Sequence, residues 1–225
     1  MTRPAVLFSS GLDSAVLLLH AAAQHVGAQP IYVSIGLAWE GEERAMAERF
    51  LAAVPASAGV LPMAALGVDM RDVYPASHWA VRGEAPGFST PDEEVYLEGR
   101  NLVLLAKASV FAARAGCARI LLGPLAGNPF PDATPAFFAA MARALSLGLG
   151  TSIEIEAPFL ALRKADVIRM GVSMGVPFEL TLSCMQPAGG RHCGRCSKCR
   201  ERRDAFREVG IEDPAAYGTH TARPT

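Results

Sequence analysis

The chain has 225 residues, 51% of them hydrophobic and 19% charged, enough for one well-packed domain and too apolar for a disordered chain. Its 21 Lys and Arg against 22 Asp and Glu give a formal net charge of −1, which argues against a large basic face for nucleic acid. No run of about 18 uncharged apolar residues occurs, and Asp13 breaks the apolar start that would otherwise mimic a signal peptide, so the reading is a soluble, cytoplasmic chain without a membrane span. In chain order, Ala5–Phe8 reads as a buried strand and Ser14–His25 as an apolar helix. Pro30–Ile35 is a second strand, Glu42–Val54 a helix with acids opposite its apolar positions, and Val60–Leu66 a third strand. Tyr74–Asp92, rich in Gly and Pro, reads as a long loop. Then follow a helix over Gly99–Ala115, a strand over Arg119–Leu122, a helix over Pro135–Leu147, a strand over Ser152–Glu156 and a helix over Lys164–Met174. Strands alternating with helices of this length predict a parallel sheet covered on both faces. Residues 1–180 are expected to form this domain, 181–210 a cysteine-rich subdomain and 211–225 a loosely held tail.

Two motifs carry chemistry. The first, Phe8-Ser9-Ser10-Gly11-Leu12-Asp13-Ser14, joins the first strand to the first helix. A helix start offers unpaired amides and partial positive charge to a phosphate, serine hydroxyls add donors, and Gly11 lets the backbone come close. Asp13 suits loop bracing or a magnesium ion better than a phosphate contact. An ordinary turn has the same composition, but the carboxyl end of the first strand is where open parallel sheets bind ligands. No Walker-type Gly-x-x-x-x-Gly-Lys sequence is present.

The second motif is Cys184-x8-Cys193-Gly-Arg-Cys196-Ser-Lys-Cys199, which gathers four of the five cysteines; Cys117 stands alone and reads as a buried, inert thiol. Four thiolates at this spacing fit a closed tetrahedral zinc site of structural type, and an iron–sulfur cluster remains open. His192 reads as a neighbour of the site. Seven Lys or Arg against two acids between Arg191 and Arg207 read as a solvated face around it.

Together the two motifs resemble the 7-cyano-7-deazaguanine synthase family of the PP-loop ATP pyrophosphatase-like superfamily. Tyr96-Leu97-Glu98-Gly99-Arg100-Asn101 is similar to its Pro-x-Arg-Asn segment, and Phe130-Pro131-Asp132 to its Tyr-Pro-Asp-Cys segment. Ala157-Pro158-Phe159 through Lys164 and Thr181-Leu182-Ser183-Cys184 are similar to its lysine-bearing helix start and its entry to the zinc site. The chain departs from the family at Ser10, where Gly is usual, at Ala133, where Cys is usual, and at Glu98-Gly99, where Pro-Ala is usual.

The resemblance implies a Rossmann-like, three-layer, doubly wound α/β fold of the adenine nucleotide alpha hydrolase type with a C-terminal zinc knuckle. It implies an ATP-dependent ligase that converts 7-carboxy-7-deazaguanine and ammonia to the nitrile used for queuosine-type bases; the alternatives are a paralogous PP-loop enzyme acting on another carboxylate or a tRNA base, and a non-catalytic zinc-stabilised nucleotide-binding module. ATP would sit on Phe8 to Ser14 with magnesium, and zinc on Cys184, Cys193, Cys196 and Cys199. Asp13, Lys164, Arg100 and Asp132 would be the catalytic residues. Lys164 would stabilise phosphate charge, and Arg100 would engage a phosphate or the substrate carboxylate. Asp132 would hold magnesium or the amidine edge of the base. Asn101 is a candidate helix cap, and Trp39 and Phe130 are core residues that a purine could also stack on. A homodimer is compatible with this reading, and a nucleic-acid partner is not expected.

Overall fold

A computed structural model describes residues 3–218. Five strands form one all-parallel sheet: β1 (Ala5–Leu7), β2 (Gln29–Ser34), β3 (Ala64–Gly67), β4 (Arg119–Leu121) and β5 (Glu154–Glu156). Their order is β3-β2-β1-β4-β5. The chain therefore winds outward from β1 on one side and then returns to wind outward on the other. A crevice opens at the carboxyl ends of β1 and β4, where the winding reverses.

Alternation along the strands assigns the layers. Val6 and Phe8 face helices α1 (Leu12–Gln24), α2 (Glu40–Ala53), α6 (Lys164–Ser173) and α7 (Ser197–Val209), while Ala5 and Leu7 face α4 (Arg100–Arg114) and α5 (Pro135–Leu149). The sheet is thus covered on both faces, as expected. A further apolar cluster, with Ile35, Leu37, Trp39, Met46, Tyr74, Val95 and Leu97, packs with all four clustered cysteines at the carboxyl end of the sheet, burying three of them and leaving Cys193 partly exposed.

Local signals explain the helix starts. Thr134 accepts the Phe137 amide at 3.2 Å ahead of Pro135 in α5. The Arg163 amide donates to Asp166 at 3.1 Å at the head of α6. Among the described residues no helix is long and apolar enough to cross a membrane.

The structure departs from expectation in four places. The third strand starts at Ala64, because Pro62 has no amide to donate, and Val60 keeps only an isolated bridge to Ala28. The stretch Tyr74–Asp92 is not a bare loop. It contains a short helix α3 (Trp79–Arg82) whose start is capped by the His78 ring, and Tyr74 and Ala80 are buried. Asn101 does not cap α4; the helix starts at Arg100 after Gly99, whose φ of 73° places it in the left-handed region. The tail is not loose through Gly218: the Asp213 carboxylate grips Arg202, and the His192 amide donates to the Ala216 carbonyl at 2.9 Å. Residues 219–225 of that expected tail lie outside the described ones.

Candidate active site

A cavity of two adjoining lobes, about 260 and 280 Å³, occupies the crevice. Such volumes suit small-molecule ligands, and both lobes include Ser9, Gly11 and Asp13 in their walls.

The turn between β1 and α1 is knit by its own hydroxyls. Ser14 Oγ donates to the Gly11 carbonyl at 3.0 Å, and the Ser9 amide donates to Ser14 Oγ at 3.3 Å. The first-turn amides of α1, Leu12 to Ser14, make no intrahelical bonds and face the crevice end of the helix. A Cβ on Gly11 would stand 3.3 Å from Ser9 Oγ and 3.9 Å from Ser14 Oγ, so glycine keeps this cradle open. The turn therefore fits a phosphate group.

Ser10 behaves differently from expectation. Its φ is +58°, its side chain is fully buried, and its hydroxyl donates to the Glu43 carbonyl at 3.0 Å. It braces the loop from behind and offers a ligand no hydroxyl. Leu12 and Phe8 are core side chains; Phe8 packs on Phe50 with ring centroids 5.5 Å apart while also touching one lobe.

One lobe is ionic. Lys164 Nζ lies 3.0 Å from Asp13 and 2.6 Å from Glu201, and Lys198 Nζ lies 2.9 Å from the other Glu201 oxygen. Burial alone would push the Lys164 ammonium down, but the two facing carboxylates override it and hold it above its ordinary value. Burial pushes the Asp13 carboxyl up, with Lys164 opposing, and its buried Oδ1 has no partner. Asp13 and Lys164, expected at one site from distant parts of the sequence, are thus brought into contact.

The other lobe contains Asn101, Asp132 and Tyr96 and shares Arg100 and Phe130 with the ionic one. The buried Nε of Arg100 has no partner, and no ion pair joins Arg100 to Glu94 or Glu98 among the described residues. Asp132 is mostly spent on structure: its Oδ2 accepts the Asn101 amide at 3.0 Å and its Oδ1 the Asn101 side chain at 3.3 Å. It ties down the first turn of α4 and so orients Arg100. Trp39 stacks on Trp79 and Phe130 on Tyr96, with centroids 5.7 and 5.1 Å apart; each aromatic pair lines a lobe.

Sequence reading missed three residues of this cavity. Glu43 is buried where the lobes meet, with Tyr32 donating to it at 3.1 Å; burial raises its carboxyl to about 7 against the pull of Arg100. The signal was present, since Glu43 shares a helical face with Met46, Ala47 and Phe50. Lys198 and Glu201 belong to the charge run that composition assigns to a solvated face, yet both line the cavity. Arg202 from that run is also no surface residue: it is fully buried, in hydrogen bonds with Asp213, Thr181 and Phe178.

The four clustered sulfurs lie within 4.8 Å of one another. Cys184 and Cys193 are each 3.9 Å from a partner, Cys196 and Cys199 respectively, and Cys196 to Cys199 is 3.4 Å. A tetrahedron of sulfurs about 2.3 Å from one ion has edges of about 3.8 Å, so the set fits a single metal ion. Backbone amides of Gln186 and Cys193 donate to Cys184 Sγ at 3.3 and 3.2 Å, which offsets thiolate charge. His192 is outside the sulfur set, its Nε2 accepting the Ser183 amide at 3.1 Å. Cys117 is buried far along the chain from this site, and burial raises its thiol pKa.

Residues 3–210 match the model of a family described as queuosine biosynthesis protein QueC. A 7-cyano-7-deazaguanine synthase of Anaeromyxobacter dehalogenans is 35% identical over 224 residues, covering 96% of this chain and 95% of the relative. One from Methanoculleus marisnigri is 32% identical over 231 residues, covering 96% and 99%. Among solved structures, a predicted subunit of tRNA methyltransferase from Methanocaldococcus jannaschii shares the fold, with a TM-score of 0.52 at 12% identity over 98% of this chain and 94% of that one.

Proposed function

The chain belongs to the queuosine biosynthesis QueC family of 7-cyano-7-deazaguanine synthases, and from that membership we propose that it joins 7-carboxy-7-deazaguanine to ammonia at the expense of ATP. The observation that carries this reading is the two-lobed cavity. Its walls offer helix-start amides and an ammonium for a polyphosphate and, from Arg100 where the two lobes meet, an unpartnered guanidinium Nε for a carboxylate.

A carboxylate resists attack by ammonia because its charge repels the nucleophile's lone pair and it has no good leaving group. ATP, when bound, supplies the adenylyl group that removes both obstacles. Ammonia then displaces AMP to give the amide, and a second adenylylation turns the amide oxygen into a leaving group, so that loss of both N–H protons and departure of that oxygen with a second AMP leave the nitrile. The chain's part is positioning and charge stabilisation.

The first-turn amides of α1 and the Ser9 and Ser14 hydroxyls bind the phosphates. Lys164 has three N–H donors, two of them held by Asp13 and Glu201, so the third is free for a phosphate oxygen. The unpartnered Asp13 Oδ1 is the acceptor that suits a magnesium ion accompanying the nucleotide. Arg100 holds the acid, braced by Asp132 through Asn101.

Zinc is the metal this reading gives to Cys184, Cys193, Cys196 and Cys199, since sulfurs this close leave no room for an iron behind each one. Incubating purified protein with ATP, ammonia and the acid, then weighing the products, should show the nitrile, and elemental analysis should show about one zinc per chain. Intact acid after incubation with zinc-replete, folded protein overturns the assignment.

A further inference from the structure

Lys198 and Glu201 belong to the cavity and to the four-cysteine turn at once. Cys196 is the residue before α7, Cys199 lies in its first turn, and the Cys199 amide donates to the Cys196 carbonyl at 3.1 Å. Two ligands on one ion clamp the intervening Ser197 and Lys198, and with them the direction in which Glu201 leaves the helix. Lys198 Nζ is held between Glu201 at 2.9 Å and Asp92 at 3.4 Å.

Glu201 spans two cations with its two oxygens, Lys164 on one and Lys198 on the other. Two ammoniums so close would repel without the carboxylate between them. Held on it, they present two charged donors at a set spacing to one lobe, which is the pattern that neighbouring phosphates of a polyphosphate require. Three carboxylates, Asp13, Asp92 and Glu201, face these two ammoniums in the lobe wall. Binding by lysine alone would therefore leave a surplus negative charge, consistent with a nucleotide that arrives with its divalent cation.

We propose that Lys198 is a second polyphosphate-binding ammonium and that Glu201 is the positioning residue that spaces it from Lys164, so that the four-cysteine turn supplies part of the nucleotide site. The proposal rests on the reading of this lobe as the ATP site. The metal then has a role beyond holding a loop: it fixes where one of the phosphate-binding cations stands.

The test compares zinc-loaded wild type with Lys198→Met, Lys198→Arg and Glu201→Gln, measuring KM for ATP, KM for the acid, kcat and metal content, with inorganic pyrophosphate binding followed separately by calorimetry. Lys198→Met and Glu201→Gln should raise the ATP KM and weaken pyrophosphate binding about tenfold, the loss of one charge-assisted hydrogen bond. The KM for the acid and the zinc content should not change, and Lys198→Arg should recover most of the loss. Wild-type nucleotide and pyrophosphate affinity in both charge-removing variants overturns the proposal, as does a loss that falls equally on the acid or accompanies loss of zinc. A wild type that binds neither ATP nor pyrophosphate overturns the parent reading of the lobe instead.

Discussion

Glu43 occupies a place that disfavours a charged carboxylate: it is buried on the helix face that also carries Met46, Ala47 and Phe50, and it is relieved by the positive charge of Arg100, the Tyr32 hydroxyl and the Trp39 side chain. Burial raises its carboxyl from 4.5 to about 7 in the folded chain. The folded state therefore holds a proton that the unfolded state has released between those two values. Its contribution to stability is full below the lower value and lost as pH rises through the upper one, by at most about 3 kcal/mol. Glu43→Gln mimics the protonated form at every pH. Urea unfolding of the two proteins should show the Gln variant gaining on wild type from pH 5 to pH 8; parallel curves would show that Glu43 stays ionised throughout. The residue was legible as one of a helix's acids but not as a buried one, because a period of 3.6 was read for its apolar members alone. Ser10 departs from its expected role for another reason: composition suggests a hydroxyl for phosphate, whereas its positive φ and its bond to the Glu43 carbonyl turn that hydroxyl inward.

At the scale of elements, the sheet and most helices follow from periodicity, since buried parallel strands and amphipathic helices leave opposite repeats in a sequence. What periodicity cannot show is how closely two elements approach. Gly171 in α6 is such a place: a Cβ there would lie 2.8 Å from Val16 of α1 and 2.4 Å from the Phe178 ring. Alanine favours helix by about 1 kcal/mol over glycine, yet here the neighbours are packed core and must move. Gly171→Ala should therefore destabilise the protein by about 1–3 kcal/mol, read as a lower urea midpoint, and a higher midpoint would show that α1 and α6 are free to part. The same limit explains the third strand, whose start is set by the missing amide of Pro62 rather than by its hydrophobic pattern.

Across the whole molecule, the site is assembled from residues far apart in sequence: loop after β1, start of α4, head of α6 and first turn of α7 all meet at one end of the sheet. Both motifs were legible separately, and the family resemblance placed them in one enzyme, but their contact through Lys164 and Glu201 was not, because no spacing rule links residues so distant. The segment after α7 shows the same blindness. Arg202 has no exposed surface and depends on Asp213 for its countercharge. Asp213→Ala leaves that guanidinium buried and unpaired, at a cost of about 3–5 kcal/mol; thermal unfolding should fall sharply, and an unchanged midpoint would mean that Arg202 finds water. Paired removal, Arg202→Met with Asp213→Ala, should recover much of the loss.

The Leu182 amide donates to the Ser10 carbonyl at 2.9 Å, two residues before Cys184, the first of the four clustered cysteines. That single backbone bond stitches the strand-to-helix turn to the approach of the cysteine loop. Its deuterium uptake is accordingly a gauge read from both directions, slowed by whatever quiets either the turn or the loop, so that one peptide covering Leu182 reports on both segments at once.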